Sequence, residues 1–559
     1  MVVKCVRNGI FKSEKFYYII VLLFICSALQ VNARPPEETP SNILRNSIEM
    51  IGNLPLITVQ NERLFASQTL PVFYERRGYQ LAWFEGGRLL PQADSLLKAV
   101  SRSERHGLTP AVYHLNRLKE LSAQIRQGQA TAVQIAGLDL LLTDAFLVYG
   151  SHLLAGRVDP EKLHSLWLAN RRQLDMAAVL QDGLNSGRIA AELAKLDPPQ
   201  NGYQELQKAL QHYRRIAESG SGAVIQSGIS IRPGQQDNRL PAVRRRLFRQ
   251  EFLKDSLPPK TPLYYDSSLL AAVLQFQAQN GLEADGVIGA RTVETLNFPA
   301  AQRVQQIATN LERWRWLPQD LGKRHLLVNI ADFNLKVREN SQTVLEMRVV
   351  VGKPYRKTPV FSDRMTHLVI NPWWGVPYKL ATEDILPKVK ANPQFLVQNK
   401  FKVYGKGLNP LDPENINWKS LTVKNFPYYL RQEPGPQNAL GRIKFMFPNK
   451  FEVYLHDTPS RDLFAKTRRD FSSGCIRLQQ PLDLAEYVLK GDSRWTREAI
   501  QKTIDSGKEQ TVPLPEPLPV HLLYWTAWVD GEGKLQFRED IYDRDEAVWQ
   551  ALTEPPPGK

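Results

Sequence analysis

The spacing of apolar positions changes twice along the chain and divides it into three kinds of structure. From about Leu64 to Ala217 apolar residues recur at helical intervals, as in Leu96, Leu97 and Val100, or Leu138, Leu141, Leu142, Ala145 and Val148. That period places one face of each helix against a core, with Gly107, Gly128, Gly156 and Pro160 as breaks. An α-helical scaffold is therefore expected over 34–255, its first residues a proline-bearing linker. Residues 218–262 are richer in Gly, Ser, Pro and Arg and read as a connection. A small helical module follows at 262–300. Leu269, Val273 and Phe276 share a helix face, Asp285-Gly286 makes a turn, and Thr292 is placed to cap a second helix bearing Val293 and Leu296. From Arg324 the period becomes two. Leu326, Val328 and Ile330, then Phe333, Leu335 and Val337, then Val344 to Gly352 read as an antiparallel meander. This β-rich domain is expected over 322–495. Within it, residues 376–440 lose alternation and gain Pro and Asn, as an inserted lid would. Pro481 to Lys490 reads as a helix ended by Gly491, and 496–559 as a C-terminal extension. The fold class is multidomain α+β.

At 559 residues the chain exceeds what one core organises, and 43% hydrophobic with 23% charged residues is ordinary for folded domains. The net charge is +15. Residues 1–33 carry +3 of it (Lys4, Arg7, Lys12 and Lys15 against Glu14), which leaves +12 on the remainder. Such an excess favours anionic partners. No basic run interleaves with aromatics, so nucleic acid is not expected. Those basic residues precede an apolar run from Phe16 to Leu29 and the small-residue site Val31-Asn32-Ala33. The order is that of a secretory signal peptide, with a retained N-terminal anchor as the alternative. The run is about 14 residues, short of the roughly 20 a bilayer span needs. No other stretch is expected to span, so membrane contact is confined to an uncleaved N-terminus. The compartment implied is the periplasm or cell envelope. Of three cysteines, Cys5, Cys26 and Cys475, only Cys475 survives removal of the leader. A lone thiol in an oxidising compartment forms no internal disulfide and is either inert or reactive.

The chemistry concentrates in VYLHDTPSRDLFAKTRRDFSSGCIRLQQP. A strand through Phe451, Val453 and Leu455 delivers His456, and nineteen residues later Cys475 follows Ser472-Ser473-Gly474. A thiol attacks only as thiolate, and a nearby imidazole takes its proton or stabilises the anion. Gly474 permits backbone N–H groups to face an incoming carbonyl oxygen. Arg468, Arg469 and Arg477 raise the local positive potential. No His pair backed by a carboxylate and no Cys pair suggests a metal, and no phosphate-binding glycine loop suggests a nucleotide. Neither a metal nor a cofactor is expected.

The segment resembles the L,D-transpeptidase signature, a histidine followed by Ser/Thr-x-Gly-Cys-Ile/Val-Arg. It is similar in particular to the large periplasmic YcbB-type (LdtD-like) members, with a YkuD-like catalytic domain. The features are Asn371-Pro372-Trp373-Trp374-Gly375-Val376-Pro377, Pro434 to Arg442, Phe445-Met446-Phe447-Pro448-Asn449 and His456-Asp457-Thr458-Pro459. Arg77-Gly78-Tyr79 to Trp83 and Gly107-Leu108-Thr109-Pro110 look alike too. Residues 266–297 resemble a peptidoglycan-binding helical repeat through Phe276-Gln277, Gly281-Leu282, Asp285-Gly286, Gly289 and Thr292. Where many smaller relatives carry His before Gly-Cys, this chain has Ser473, which leaves His456 as the candidate base.

The resemblance implies peptidoglycan stem peptides as donor and acceptor, other wall synthases as partners, and 3→3 crosslinks as product. It implies Cys475 as nucleophile and His456 as base. Gly474 and Cys475 N–H would hold the oxyanion with Tyr454 as a further donor, and the Asp457 carbonyl would orient the imidazole. Arg477, Ser473, Trp373 and Trp374 would meet substrate. It also implies acylation by carbapenems. Two alternatives stay open: hydrolysis of the same acyl-enzyme, as an L,D-carboxypeptidase or endopeptidase, and a wall-binding scaffold with a vestigial cysteine.

Overall fold

A computed structural model describes residues 38–51, 57–220, 222–255 and 262–554. The leader at 1–33, with Cys5 and Cys26, lies outside the described residues. The N-terminal part is helical. Its centre is α1 (Ala132–Ala155), opened by a capping box in which Thr131 and Gln134 exchange side-chain and backbone bonds. Leu138, Leu141, Leu142, Ala145 and Val148 are buried, but so are the residues between them. A helix apolar all round belongs in a core. α1 is also long and apolar enough to cross a membrane, contrary to the expectation that only the N-terminus was; here it is mostly enclosed by the rest of the scaffold.

The next helices shift a domain boundary. α2 (Leu240–Arg249) does not join the scaffold: its Leu240, Val243 and Leu247 share a core with Leu269, Val273 and Phe276 of α3 (Ser267–Gln279) and Val293 and Leu296 of α4 (Ala290–Leu296). The module thus begins well before 262. Its Arg-rich opening resembles a linker because the apolar stripe of α2 is only three residues deep. Thr292 does not cap α4; Gly289 occupies that position. Gln277, buried, donates to Asp285 Oδ1 at 3.1 Å and Val287 O at 3.0 Å and accepts from Gly286 N at 2.9 Å. The motif residues therefore hold the module together from inside. Arg538 donates to Gln279 O at 3.1 Å, and Glu539 pairs with both Arg291 (3.2 Å) and Arg468 (2.9 Å), bracing the module on the β-domain.

α5 (Ala300–Arg315) is the joint of the molecule. Buried Glu312 accepts from Val158 N at 2.7 Å, Trp316 Nε1 at 3.2 Å and Arg315 Nε at 3.1 Å. Arg315 donates onward to His106 O and Tyr203 Oη, both at 2.9 Å, inside the scaffold. Arg313, on the same helix, pairs with Asp545 at 2.7 Å near the C-terminus.

The β-domain contains β1 (Arg324–Asn329), β2 (Asn334–Glu339), β3 (Gln342–Gly352), β4 (Phe361–Ile370), β5 (Ile443–Met446), β6 (Leu455–His456), β7 (Asp470–Ser472), β8 (Ile476–Leu478) and β9 (Gln510–Leu523). Their order is β7-β3-β8-β6-β5-β4-β9-β1-β2, and β2 pairs back onto β3, so the sheet closes. The segment read as a C-terminal extension supplies β9, which lies between β4 and β1. Pro513, Pro515, Pro517 and Pro519 disguise this strand, since proline is depleted from sheet interiors. The register shifts between Pro513 and Leu518, which accommodates them. Residues 374–432 form a separate four-stranded sheet with short helices around their own core, including Val376, Leu386, Val389, Phe401 and Leu430. One apolar core runs from the scaffold into the β-barrel, and Leu166–Leu168 pairs with Val360 through two 2.9 Å backbone bonds.

Glu312→Ala leaves Arg315 buried without its counter-ion, and stability is expected to fall by about 3–5 kcal/mol. Urea unfolding measures this; a loss below about 1 kcal/mol would show that α5 does not join the two halves through this pair.

Candidate active site

β6 and β8 run parallel, with Leu455 opposite Ile476 and His456 opposite Arg477. Leu455 and Ile476 point into the barrel and are fully buried. Alternation then turns Tyr454, His456, Cys475 and Arg477 to the opposite face. There they line an open cleft of about 1210 Å³ between the barrel and the 374–432 insertion. The register thus explains why a histidine and a cysteine nineteen residues apart line the same cleft.

The cysteine loop is held from below. Thr358 Oγ1 accepts from Gly352 N at 2.9 Å and donates to Gly474 O at 2.8 Å. Tyr542 Oη donates to Gly352 O at 2.5 Å and accepts from Thr358 N at 3.1 Å. Gly352 admits this contact only because it has no side chain: a Cβ there would lie 2.1 Å from Arg356 O and 3.1 Å from the Gly474 Cα. Gly474 has φ +118°, a conformation that side chains disfavour. Its N–H faces Ser472 Oγ at 3.2 Å, and that hydroxyl donates to Cys475 O at 2.5 Å. The Gly474 N–H expected to serve an oxyanion is therefore already engaged. Arg356 donates to Ser473 Oγ at 3.0 Å and pairs with Asp384 (2.5 Å) and Glu383 (2.7 Å), which ties the insertion to the loop beside the thiol.

Electrostatics set the resting protonation. Burial pushes the Cys475 thiol up, opposed by hydrogen bonds from the Tyr454 backbone and hydroxyl and by the charges of Lys444 and Arg477. His456 is driven down to about 3, first by burial and then by Arg477. Its Nδ1 lies 2.5 Å from Asp457 O, which places the Nδ1 proton on that bond and leaves Nε2 as the basic atom. The resting pair is thus neutral thiol and neutral imidazole, not the ion pair that neighbouring charges alone suggest. The Asp457 carboxylate is used structurally, accepting from Arg442 N at 2.9 Å.

Trp374 lines the cleft, but Trp373 does not: its ring is covered by Arg431 at 5.0 Å, and its backbone N–H donates to Glu509 at 2.8 Å. Two cleft residues, Arg356 and Lys444, and the buried Thr358 beneath the cysteine loop escape the sequence reading. Arg356 and Thr358 sit in a loop without a distinguishing motif. Lys444 stands in Ile-Lys-Phe-Met, where alternation assigns lysine to solvent.

Thr358→Val keeps the shape of the side chain while removing its hydroxyl. It is expected to cost about 2–4 kcal/mol, because a buried N–H and a buried C=O both lose their partner. Thr358→Ser should restore most of that in thermal or chemical unfolding, and equal loss in both variants would count against the hydroxyl's role.

Comparison with known proteins gives three domain matches: "Scaffold domain" at 68–210, "Putative peptidoglycan binding domain" at 235–296 and "L,D-transpeptidase catalytic domain" at 323–500. A Haemophilus influenzae protein named "Putative L,D-transpeptidase" is 36% identical over 244 residues, 44% of this chain and 49% of that one. The chain spans about half the length of that curated relative. Epoxide hydrolase 1 of Sus scrofa is 27% identical over 99 residues, 18% of this chain and 22% of its own. Solved L,D-transpeptidases from Mycobacterium smegmatis (13% identity, 36% of this chain, 58% of that one) and Xylanimonas cellulosilytica (14%, 53% and 99%) both align with a TM-score of 0.17. Scores that low carry no argument, and the likeness rests on the domain matches: residues 323–500 match the L,D-transpeptidase catalytic domain, preceded by matches to a scaffold domain and a putative peptidoglycan binding domain.

Proposed function

We propose that this chain is a peptidoglycan L,D-transpeptidase of the large YcbB type, working in the cell envelope and reached through its N-terminal leader. The observation that carries the reading is the meeting of Cys475, His456 and Tyr454 on one face of the β6–β8 pair inside the catalytic-domain match. His456 Nε2 takes the Cys475 proton as Sγ attacks the carbonyl that joins the diamino acid to the terminal D-Ala of a tetrapeptide stem. The Cys475 N–H and the Tyr454 hydroxyl stabilise the oxyanion. Collapse breaks the C–N bond, D-Ala leaves with the proton from His456, and a thioester remains. The side-chain amine of a second stem gives its proton to His456 as it attacks. The C–S bond breaks, the thiol is reprotonated, and a 3→3 crosslink is released. Because the imidazole is neutral down to about pH 3, the rate of acylation should lack the usual histidine inflection near 6.5 and rise with pH as the thiol ionises.

The deciding experiment is mass spectrometry of the protein incubated with disaccharide-tetrapeptide, beside Cys475→Ala. Cysteine-dependent D-Ala release with a 3→3 dimer is the expected result. Tripeptide without dimer would make the enzyme a carboxypeptidase, and turnover that survives in Cys475→Ala would overturn the nucleophile assignment. Carbapenems should add their whole mass to Cys475, since the opened ring stays attached. An unmodified protein after long exposure would oppose the reading.

A further inference from the structure

Cys475 needs positive charge nearby to attack as thiolate, and the obvious source does not supply it. His456 is enclosed, spends Nδ1–H on the Asp457 carbonyl, and is kept neutral by its surroundings. Two other cations face the thiol. Arg477 follows it on β8, with Nε buried and without a partner. Lys444 comes from β5, directly opposite His456 in the β5–β6 register. Its Nζ lies 4.0 Å from the centroid of the Tyr454 ring. Tyr454 in turn offers both its backbone N–H and its hydroxyl to Cys475. Among the described residues no carboxylate forms an ion pair with Lys444. A half-buried ammonium without a counter-ion, above the aromatic ring that contacts the nucleophile, is costly unless it serves one.

We infer that Lys444 is a positioning residue for the nucleophile: its ammonium holds the Tyr454 ring against Cys475 and supplies the positive charge that stabilises the thiolate. The charged and titratable groups facing it are Tyr454 just before β6 and His456 on it, Cys475 just before β8 and Arg477 on it, His367 from β4, and Glu509 just before β9. Of these, Tyr454, Glu509 and Cys475 are anionic when ionised; burial pushes the Tyr454 hydroxyl far up, which leaves Glu509 and the thiolate, and the thiolate lies in the cleft. Lysine, rather than a second arginine, suits the position: a compact ammonium sits over a ring without a planar carboxylate to match.

This inference rests on Cys475 being the nucleophile but needs no peptidoglycan, so its failure is separable from failure to release D-Ala. The test is the pH dependence of iodoacetamide alkylation in the full chain. The thiolate forms an S–C bond, iodide leaves with the C–I electron pair, and the thiol proton passes to solvent. The reaction is quantified by mass spectrometry on the Cys475-containing peptide alone, so that Cys5 and Cys26 do not contribute. Lys444→Met should slow alkylation about tenfold at pH 7, which is a rise of one unit in the midpoint. Lys444→Arg should return the profile to within about threefold of wild type. Lys444→Gln, polar and uncharged, should behave as Met does, which guards against a folding defect peculiar to one variant. An unchanged profile in both neutral variants would overturn the proposal. Equal slowing in Met, Gln and Arg would overturn it too, because shape rather than charge would then be at work.

Discussion

The hydroxyl of Thr358, closed between Gly352 N–H and Gly474 C=O, is the constraint on which the geometry of the site depends. It fixes the end of β3 to the turn that presents Cys475, and Tyr542 closes the same knot from the C-terminal segment. Buried backbone groups must find partners, so this small network decides where the sulphur sits before any substrate arrives. The barrel closure through β2 and β3 carries that position to the rest of the domain, and α5 carries it to the scaffold.

The site is also arranged to keep charge separate until it is used. Burial holds both thiol and imidazole neutral, while Lys444, Arg477 and Arg356 surround them with fixed positive charge. Two of these cations act on the thiol directly. The third is neutralised by the insertion's Asp384 and Glu383, so the wall opposite the nucleophile is held by an electrostatic contact rather than by a packed core. The insertion's own core is separate from the barrel's. A half-exposed contact of this kind is weak in water, which makes the insertion the part of the cleft most readily displaced.

Much of this was legible in the chain. Cys475 and His456 stand out in the sequence through the glycine and strand pattern around them, and the structure sets both on one cleft. Period-two spacing located β1 to β3, and helical spacing located the scaffold. What escaped did so for physical reasons. β9 is a central strand written in prolines, which local propensity rejects but a register shift accommodates. α2 belongs to the module through three buried side chains within a basic run. The engagement of the Gly474 N–H depends on a turn geometry that no spacing encodes. Lys444 obeys the alternation rule, yet the face it occupies is a cleft wall, and sequence does not distinguish a solvated face from a lined one.

The close approach at Gly352 has an evolutionary consequence. With Arg356 O and Thr358 N crowding the place where a methyl would sit, not even alanine fits, and the backbone that would have to yield is the 356–358 loop that braces the Cys475 turn through Thr358. Heritable variation in what the cleft admits is therefore channelled away from the cysteine loop and toward the opposite wall. There Lys379, Lys388 and Phe395 contribute side chains from an insertion with its own apolar core. Substitutions on that side can alter what the cleft admits while the setting of Cys475 stays fixed.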